Sequence, residues 1–316
     1  MEKLWLVVPC YNEEEVLPET SKRLYKLMAD MIVNKKIAPE SKIAFVNDGS
    51  KDKTWELIEK YHDSIEMFVG INLSRNKGHQ NALIAGLTVA KEYADMTITL
   101  DADLQDDIEK IPEMVDKYYE GNDIVYGVRN NRDTDTGFKR GTAQGFYKFM
   151  RALGVDIVDN HADYRLMSKR AVEALLEYSE VNVFLRGIVP QIGFKSAIVE
   201  YKRAERMAGE SKYPLKKMIA FAFDGITSFS VKPLRVSLVM GIVSFIVAIA
   251  FLIYCIIRFA CGQTVSGWAS LSVSIWALGG LQLLMIGIVG EYIGKIYLET
   301  KRRPKFFIDK VLYKEV

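Results

Sequence analysis

Short apolar runs that end in polar clusters alternate with amphipathic stretches along the N-terminal part of the chain. Runs of this length predict buried strands, and the amphipathic stretches predict helices. The predicted strands are residues 4–8, 43–46, 68–73, 96–100 and 123–127, and the predicted helices are residues 14–33, a stretch from about residue 53, and residues 80–94. This alternation predicts an α/β fold with a mainly parallel sheet and helices on both of its faces.

Polar clusters directly follow four of these predicted strands. They are Tyr11–Glu13, Asp48–Ser50, Ser74–Asn76 and Asp101–Asp103. Sheets of this class bind ligands outside the carboxyl ends of their parallel strands. The pattern therefore predicts one ligand site, built from these clusters, at one edge of the sheet.

The C-terminal part has a different pattern, because residues 236–257 and 259–290 contain no charged side chain. A helix needs ~20 apolar residues to cross a bilayer core. Two transmembrane helices are predicted, at about 236–257 and 269–290. The alternative is a pair of buried core helices, which rarely run so long without a charge.

Residues 214–231 carry apolar side chains at helical spacing beside Lys216 and Lys217. They predict an amphipathic helix lying on the membrane surface, with an ordinary surface helix as the alternative. The expected organisation is a catalytic domain (1–213), a juxtamembrane helix and linker (214–235), a two-helix membrane region (236–294) and a cytoplasmic tail (295–316).

The distribution of charged residues predicts on which side of the membrane the expected domains lie. The whole chain of 316 residues has a net charge of only +2, but Lys and Arg are concentrated on both sides of the two-span region. The loop between the spans contains only Arg258. The positive-inside rule then predicts a multi-pass protein of the cell membrane with both ends in the cytoplasm. The N-terminus lacks a signal-peptide pattern, and the three cysteines have neither disulfide nor metal spacing.

An acidic cluster begins where the fourth predicted strand ends. The carboxylates of Asp101 and Asp103, with the amide oxygen of Gln105, can converge on one hard cation, Mg²⁺ or Mn²⁺. The alternative is that these aspartates form a turn or cap a helix. The glycine-rich motifs of dinucleotide dehydrogenases and P-loop NTPases are missing from the sequence, so neither class is supported.

Six segments in order resemble the family-2 glycosyltransferases of the GT-A fold. The segments are residues 7–15 (VVPCYNEEE), 46–54, 75–79, 101–105, 161–167 and 206–213. The chain most resembles dolichol-phosphate mannose synthases and bacterial polyprenyl-phosphate (bactoprenol) glucosyltransferases. The resemblance implies an inverting enzyme that moves a hexose, with glucose from UDP-glucose favoured, onto a polyprenyl phosphate such as undecaprenyl phosphate. The expected partners are a nucleotide sugar, this lipid and the membrane, with no nucleic acid.

The resemblance also assigns donor-binding residues. Those expected to contact the nucleotide sugar are Pro9, Tyr11, Asn12, Glu13, Asp48, Arg75, Gly78, Asp101, Arg206, Ser211 and Lys212. Among them, Asp48 is expected to accept a hydrogen bond from the base. Asp101, Asp103 and Gln105 are expected to hold the metal on the donor diphosphate. The alternative role for Asp48 is that of a turn-forming residue before glycine.

The catalytic residues implied by the resemblance are Asp103, Asp163, Arg129 and Arg140. The two arginines flank residues 130–139 and are expected to bind the acceptor phosphate, with a solvated basic loop as the alternative. Asp163 is expected to line the site and to orient Arg165 or the sugar, and a role as base stays open. A lipid phosphate needs little help from a base, because its second pKa is ~6.

Several alternatives remain at this point. The donor could be GDP-mannose, UDP-GlcNAc or an aminoarabinose-type nucleotide, and UDP is favoured over GDP by the resemblance alone. A non-enzymatic alternative is that the chain is a catalytically inactive membrane scaffold. A processive synthase is excluded by the missing Gln-x-x-Arg-Trp motif. Small residues at Ser237, Gly241, Gly290 and Gly294 predict a homo-oligomer, with a tetramer among the states considered.

Overall fold

The computed structural model of the protein describes residues 1–129, 161–181, 184–202, 231–262 and 267–314. These residues belong to two compact units. One unit comprises the described residues up to 202 together with those from 303 onward, and it contains the sheet. The other comprises the described residues between 231 and 302, and it contains two long apolar helices.

The described helices and strands are numbered in chain order. The sheet-containing unit has β1 (Leu4–Cys10), α1 (Leu17–Val33), β2 (Lys42–Asn47), α2 (Thr54–Ser64), β3 (Phe68–Leu73), α3 (His79–Ala90), β4 (Met96–Thr99), α4 (Ile111–Tyr119), β5 (Ile124–Arg129), β6 (His161–Ser168), α5 (Lys169–Glu177), α6 (Leu185–Gln191), β7 (Ser196–Tyr201) and β8 (Ile308–Leu312). The second unit has α7 (Lys232–Ala260) and α8 (Trp268–Thr300).

The strands form one sheet in the order β7-β5-β6-β4-β1-β2-β3-β8. The pairs β1–β2, β1–β4, β2–β3 and β5–β7 are parallel. The strand β6 is antiparallel to both β4 and β5, and β8 is antiparallel to β3. The predicted α/β fold with a mainly parallel sheet is therefore confirmed, and its carboxyl-end edge carries the predicted clusters.

Helices cover both faces of the sheet. On one face Leu4, Leu6 and Val8 of β1 join a cluster of buried apolar residues that includes Leu24 and Met28 of α1. These helix residues recur at the spacing of one helical face, which explains why α1 packs there. On the other face α3 lies so close to β1 that a Cβ at Gly86 would come within 2.4 Å of the Val7 side chain. The two layers fix the sheet and leave its strand ends open.

The predicted elements differ from the observed ones mainly at their ends. The first helix begins at Leu17 rather than Glu14, because the preceding residues form a turn in which Glu13 O accepts the N–H groups of Val16 and Leu17. The strands β6, β7 and β8 and the helices α4, α5 and α6 were not predicted. These elements are only five to nine residues long, so each gives a short sequence pattern.

Two helices in the described parts of the chain are long and apolar enough to cross a membrane, Lys232–Arg258 and Ala277–Thr300. Their large apolar side chains are exposed, as at Phe245 and Leu283. This exposure contradicts the alternative of buried core helices and favours contact with lipid or a partner. The second helix continues to Thr300, ten residues beyond the predicted end of its span at residue 290.

The C-terminal segment is a strand of the sheet and not only a tail. The strand β8 pairs with β3, and Phe307 O accepts the N–H of Ser74 at 3.0 Å, where the loop after β3 begins. Asn72 donates to Asp309 Oδ2 at 3.1 Å and accepts at 2.7 Å from Asn47 at the end of β2. The segment therefore braces the strand ends that carry the predicted nucleotide pocket.

Removing residues 306–316 should expose the edge of β3 and remove the apolar contact that Leu312 makes beside Gly70. We expect the free energy of unfolding to fall by about 2 kcal/mol or more, since apolar side chains lose their cover. Thermal unfolding in mild detergent measures this change. A matched control is Lys310→Ala, which removes only an exposed ion pair with Glu59 and should change stability by less than about 1 kcal/mol. Equal stability of the truncated and intact proteins would contradict a bracing role.

Candidate active site

The turn after β1 is tied to the turn after β2. The N–H of Asn12 donates to Ser50 Oγ at 3.0 Å, and Asn12 Oδ1 accepts from the N–H of Lys51 at 2.9 Å. The N–H of Glu13 donates to Thr54 Oγ1 at 2.9 Å. Asn12 has a φ of 55°, a left-handed conformation that asparagine tolerates better than most residues. Two motifs that are far apart in sequence thus form one wall of the site.

Asp48 organises the loop between β3 and α3. Its Oδ1 accepts the N–H of Lys77 at 2.6 Å, and its Oδ2 accepts the N–H of Gly78 at 2.8 Å. Burial raises the pKa of this carboxyl group, although both N–H donors favour its ionised form. Each carboxylate oxygen has a further lone pair, so the predicted contact with a base stays a prediction. Gly49 is required beside it, because a Cβ there would lie 2.5 Å from Asn76 N.

Pro9, Tyr11, Arg75 and Gly78, which are also predicted for the nucleotide pocket, lie at the same edge of the sheet but differ in their exposure to solvent. Pro9 is buried within β1, whereas Tyr11 and Arg75 are exposed. Gly78 precedes α3 and donates its N–H to Asp48. The structure thus brings Tyr11, Asp48 and Arg75 to neighbouring strand ends, as the sequence predicts.

The acidic loop after β4 combines crowded carboxylates with a strained backbone. Leu104 has a φ of 52°, and the N–H of Gln105 donates to Asp103 Oδ1 at 3.2 Å. On the side of the loop that faces α1, Thr20 Oγ1 donates to Ala102 O at 2.7 Å and fixes the loop to that helix. Burial, together with the charges of neighbouring aspartates, raises the pKa of Asp101 to about 6. The ionised form of Asp101 is therefore disfavoured at this position.

These residues fit a divalent cation. Among the described residues no group of three or more His, Cys, Asp or Glu side chains is arranged to hold a metal. A site with two carboxylates, Asp101 and Asp103, suits Mg²⁺ or Mn²⁺, which commonly complete their shells with substrate phosphates and water. The side chain of Gln105 is buried, and its predicted role as a third ligand stays a prediction.

Asp163 lies beside this loop at the start of β6, within a cluster of cations. Its Oδ1 accepts from Arg165 Nη2 at 2.6 Å, and its Oδ2 lies 3.4 Å from Arg186 Nη2. Burial opposes ionisation, but the charges of Arg186 and Arg165 outweigh it and lower the pKa of Asp163 to about 2. A carboxylate with so low a pKa holds a proton poorly near neutral pH, which argues against a role as general base. The expected pairing of Asp163 with Arg165 is observed.

His79, at the start of α3, connects the two acidic positions. Its Nε2 lies 3.4 Å from Asp101 Oδ1 and 3.7 Å from Asp163 Oδ2. His79 lies in segment 75–79, which resembles the family, but it was not predicted as a site residue. Its position directly after Gly78, at the first residue of α3, was the available signal.

Arg129, predicted to bind the acceptor phosphate, is held by two partners at the end of β5. Its Nε donates to Tyr201 OH at 3.0 Å, and its Nη2 donates to Asp106 Oδ1 at 3.3 Å. Tyr201 donates to the same Asp106 oxygen, while Asp106 Oδ2 is buried without a hydrogen-bond partner among the described residues. Arg129 is therefore anchored to the acidic loop. Asp106 was not predicted as a site residue, because it lies just beyond the segment 101–105 that resembles the family.

Four predicted site residues lie outside the described residues. They are Arg140, Arg206, Ser211 and Lys212. The predicted amphipathic helix at 214–231 falls almost entirely outside them as well, and these assignments stay predictions.

Comparison with known proteins gives matches over nearly the whole chain. The sequence profile of glycosyl transferase family 2 matches residues 5–176, and that of the GtrB C-terminal hairpin matches residues 232–296. An uncharacterized glycosyltransferase of Bacillus subtilis strain 168, YkoT, is 56% identical over 99% of this chain and 93% of its own. The prophage bactoprenol glucosyl transferase homolog of Escherichia coli K12 is 42% identical over 98% of this chain and 99% of its own. The bactoprenol glucosyl transferase of Shigella phage SfII is 43% identical over 98% of each chain.

Asp48→Asn should loosen the loop that Asp48 holds, because an amide offers one acceptor oxygen where the carboxylate offers two. We expect the affinity for UDP to fall about tenfold, equivalent to ~1.4 kcal/mol for the weakened charge-assisted bonds. Calorimetric titration of the detergent-purified protein with UDP and Mn²⁺ measures it. The matched control is Asp95→Asn, whose carboxylate accepts a backbone N–H from Lys3 at the opposite edge. If both variants bound UDP like the parent protein, Asp48 would have no part in nucleotide binding.

Proposed function

This chain belongs to glycosyltransferase family 2, and from that premise we propose that it moves glucose from UDP-glucose onto a polyprenyl phosphate at the membrane surface. The observation that carries the proposal is the extent of the match. Relatives described as bactoprenol glucosyl transferases align with both the sheet-containing unit and the apolar hairpin. A polyprenyl acceptor accounts for the hairpin, since the lipid chain stays in the bilayer and its phosphate must be met there.

Asp101 and Asp103 would hold a Mg²⁺ or Mn²⁺ ion, with Gln105 as a further oxygen ligand. Such an ion, when bound, offsets the negative charge that develops on the departing nucleotide. The pKa of Asp101, raised to about 6 by burial and then by neighbouring aspartates, supports this assignment, because a bound cation would favour the ionised carboxylate. The loop held by Asp48 and the exposed Tyr11 and Arg75 would bind the nucleotide.

The transfer proposed is a single displacement with inversion at the anomeric carbon. The acceptor is a phosphate monoester that is largely ionised at neutral pH, so its oxygen needs no general base. The low pKa of Asp163 agrees with that chemistry, because this carboxylate stays ionised throughout. The enzyme's own contribution is to position two anions and to balance their charge.

The connectivity of the sheet supports the proposed membrane topology. The strand β8 lies beyond both apolar helices in the chain, yet it pairs with β3. If each helix crosses the membrane once, the sheet-containing unit and the C-terminal strand share one side, and the distribution of Lys and Arg favours the cytoplasmic side. The proposed location is therefore the cytoplasmic face of the cell membrane, with a homo-oligomer as the proposed assembly.

The alternatives differ in what they require of the site. Donors such as GDP-mannose, UDP-GlcNAc or an aminoarabinose nucleotide would use the same metal and diphosphate contacts. The names of the relatives favour glucose. An inactive scaffold would have no need of a crowded acidic loop whose charges destabilise one another.

Membranes containing the protein should be incubated with a panel of radiolabelled nucleotide sugars and then extracted with organic solvent. We expect label in the lipid phase from UDP-glucose, dependent on added polyprenyl phosphate and released by mild acid. Membranes that contain the Asp103→Asn variant serve as the control, and they should transfer less than about one hundredth as much, since one oxygen ligand of the metal is lost. Label from a different nucleotide sugar alone would replace glucose as the substrate. No lipid label from any donor would reject the proposed function.

A further inference from the structure

Arg186 is a cation of the site with unused hydrogen-bonding capacity. It lies at the start of α6, and its contact with Asp163 is a long one, 3.4 Å from Nη2 to Oδ2. Its Nε is buried and has no hydrogen-bond partner within the described part of the chain. The side chain is nevertheless 35% exposed. A guanidinium group has five N–H donors, so Arg186 is free to receive an oxygen-rich anion.

Among the described residues, two further arginines of the site, Arg165 and Arg129, already have hydrogen-bond partners. Arg165 is 1% exposed, donates at 2.6 Å to Asp163 and donates at 3.3 Å to Leu185 O. Arg129 is held by Asp106 and Tyr201. The charge of Asp163 is therefore matched by Arg165 at short range. Arg186 also favours the ionised form of Asp163, but it does so through one long contact of 3.4 Å, and its remaining N–H donors are not used by this carboxylate.

The order of the strands places Arg186 on one particular side of the metal loop. The predicted nucleotide contacts lie at the ends of β1, β2 and β3, and the acidic loop follows β4. Asp163, which Arg186 contacts, is on β6, the neighbour of β4 on the side away from the nucleotide. The distance of 3.7 Å from Asp163 to His79, which is itself 3.4 Å from Asp101, shows that these groups are close together. In a displacement with inversion the nucleophile arrives opposite the leaving group, which here means from the side of β6.

We propose that Arg186 binds the phosphate group of the lipid acceptor and aims it at the anomeric carbon. The inference rests on the proposed function and adds a binding residue to it. One phosphate oxygen gives its electron pair to the anomeric carbon while the bond from that carbon to the diphosphate oxygen breaks. UDP departs with the electron pair of that bond. The ionised phosphate monoester becomes a phosphodiester without losing a proton, so the group required beside it is a cation and not a base.

The test measures binding of the acceptor phosphate directly, apart from catalysis. Farnesyl phosphate and the uncharged alcohol farnesol are titrated separately into detergent-purified protein that is saturated with UDP and Mn²⁺. We expect Arg186→Gln to weaken farnesyl phosphate binding at least tenfold and to leave farnesol binding unchanged. Arg186→Lys, which keeps the charge but loses the planar fork, should recover part of the affinity. Arg170→Gln is the matched control, since Arg170 is 65% exposed and pairs with Asp123 instead.

The outcomes separate this inference from the function on which it rests. Equal farnesyl phosphate affinity in the parent and Arg186→Gln proteins would overturn the role of Arg186, even if glucose transfer proceeds. A loss of UDP affinity in Arg186→Gln, with farnesyl phosphate binding intact, would also overturn it, because Arg186 would then serve the donor. A selective loss of farnesyl phosphate binding would support it, whichever sugar the enzyme transfers. Unchanged thermal unfolding of Arg186→Lys verifies that the folded protein is being compared.

Discussion

The site is governed by the need to balance negative charge at one edge of the sheet. Four aspartates, Asp101, Asp103, Asp106 and Asp163, converge there from two strand ends. The charges of Arg186 and Arg165 outweigh burial and lower the pKa of Asp163 to about 2, and Arg129 pairs with Asp106. Asp101 lies 3.4 Å from His79, and burial raises the pKa of Asp101 to about 6. In the proposed function the same edge also binds a nucleotide diphosphate and a lipid phosphate, with a divalent cation on Asp101 and Asp103 and the lipid phosphate on Arg186.

The chain path explains how such a site is joined to a membrane hairpin. The hairpin lies in the sequence between β7 and β8, and both strands belong to the same sheet. The chain therefore leaves the sheet-containing unit and comes back to it. The returning strand contacts Asn72 and Ser74, which precede the loop held by Asp48. The returning strand and the loop that is predicted to bind the nucleotide thus share one strand, β3.

Much of this arrangement was predictable from the sequence, and the reason is geometric. Parallel strands end at the same edge, so polar clusters after β1, β2, β3 and β4 had to meet. Asp48, Asp101 and Asp103 could be selected from that rule and from the family resemblance. The remaining contacts depend on the insertion of the antiparallel strand β6 between β4 and β5, which no local pattern indicates. That insertion brings Asp163 to His79 and, through α6, brings Arg186 to Asp163. The strand β8 was missed for a similar reason, since five residues after a long helix carry little periodic signal.

In the proposed function the acidic loop is completed by a divalent cation shared with the donor diphosphate. Calorimetric titration of the purified protein with UDP, in Mn²⁺ or in excess chelator, measures this dependence. We expect UDP to bind at least tenfold more tightly with Mn²⁺, and Asp103→Asn to remove most of this difference while its affinity in chelator stays unchanged. Equal UDP affinity with Mn²⁺ and with chelator in the parent protein would contradict the claim.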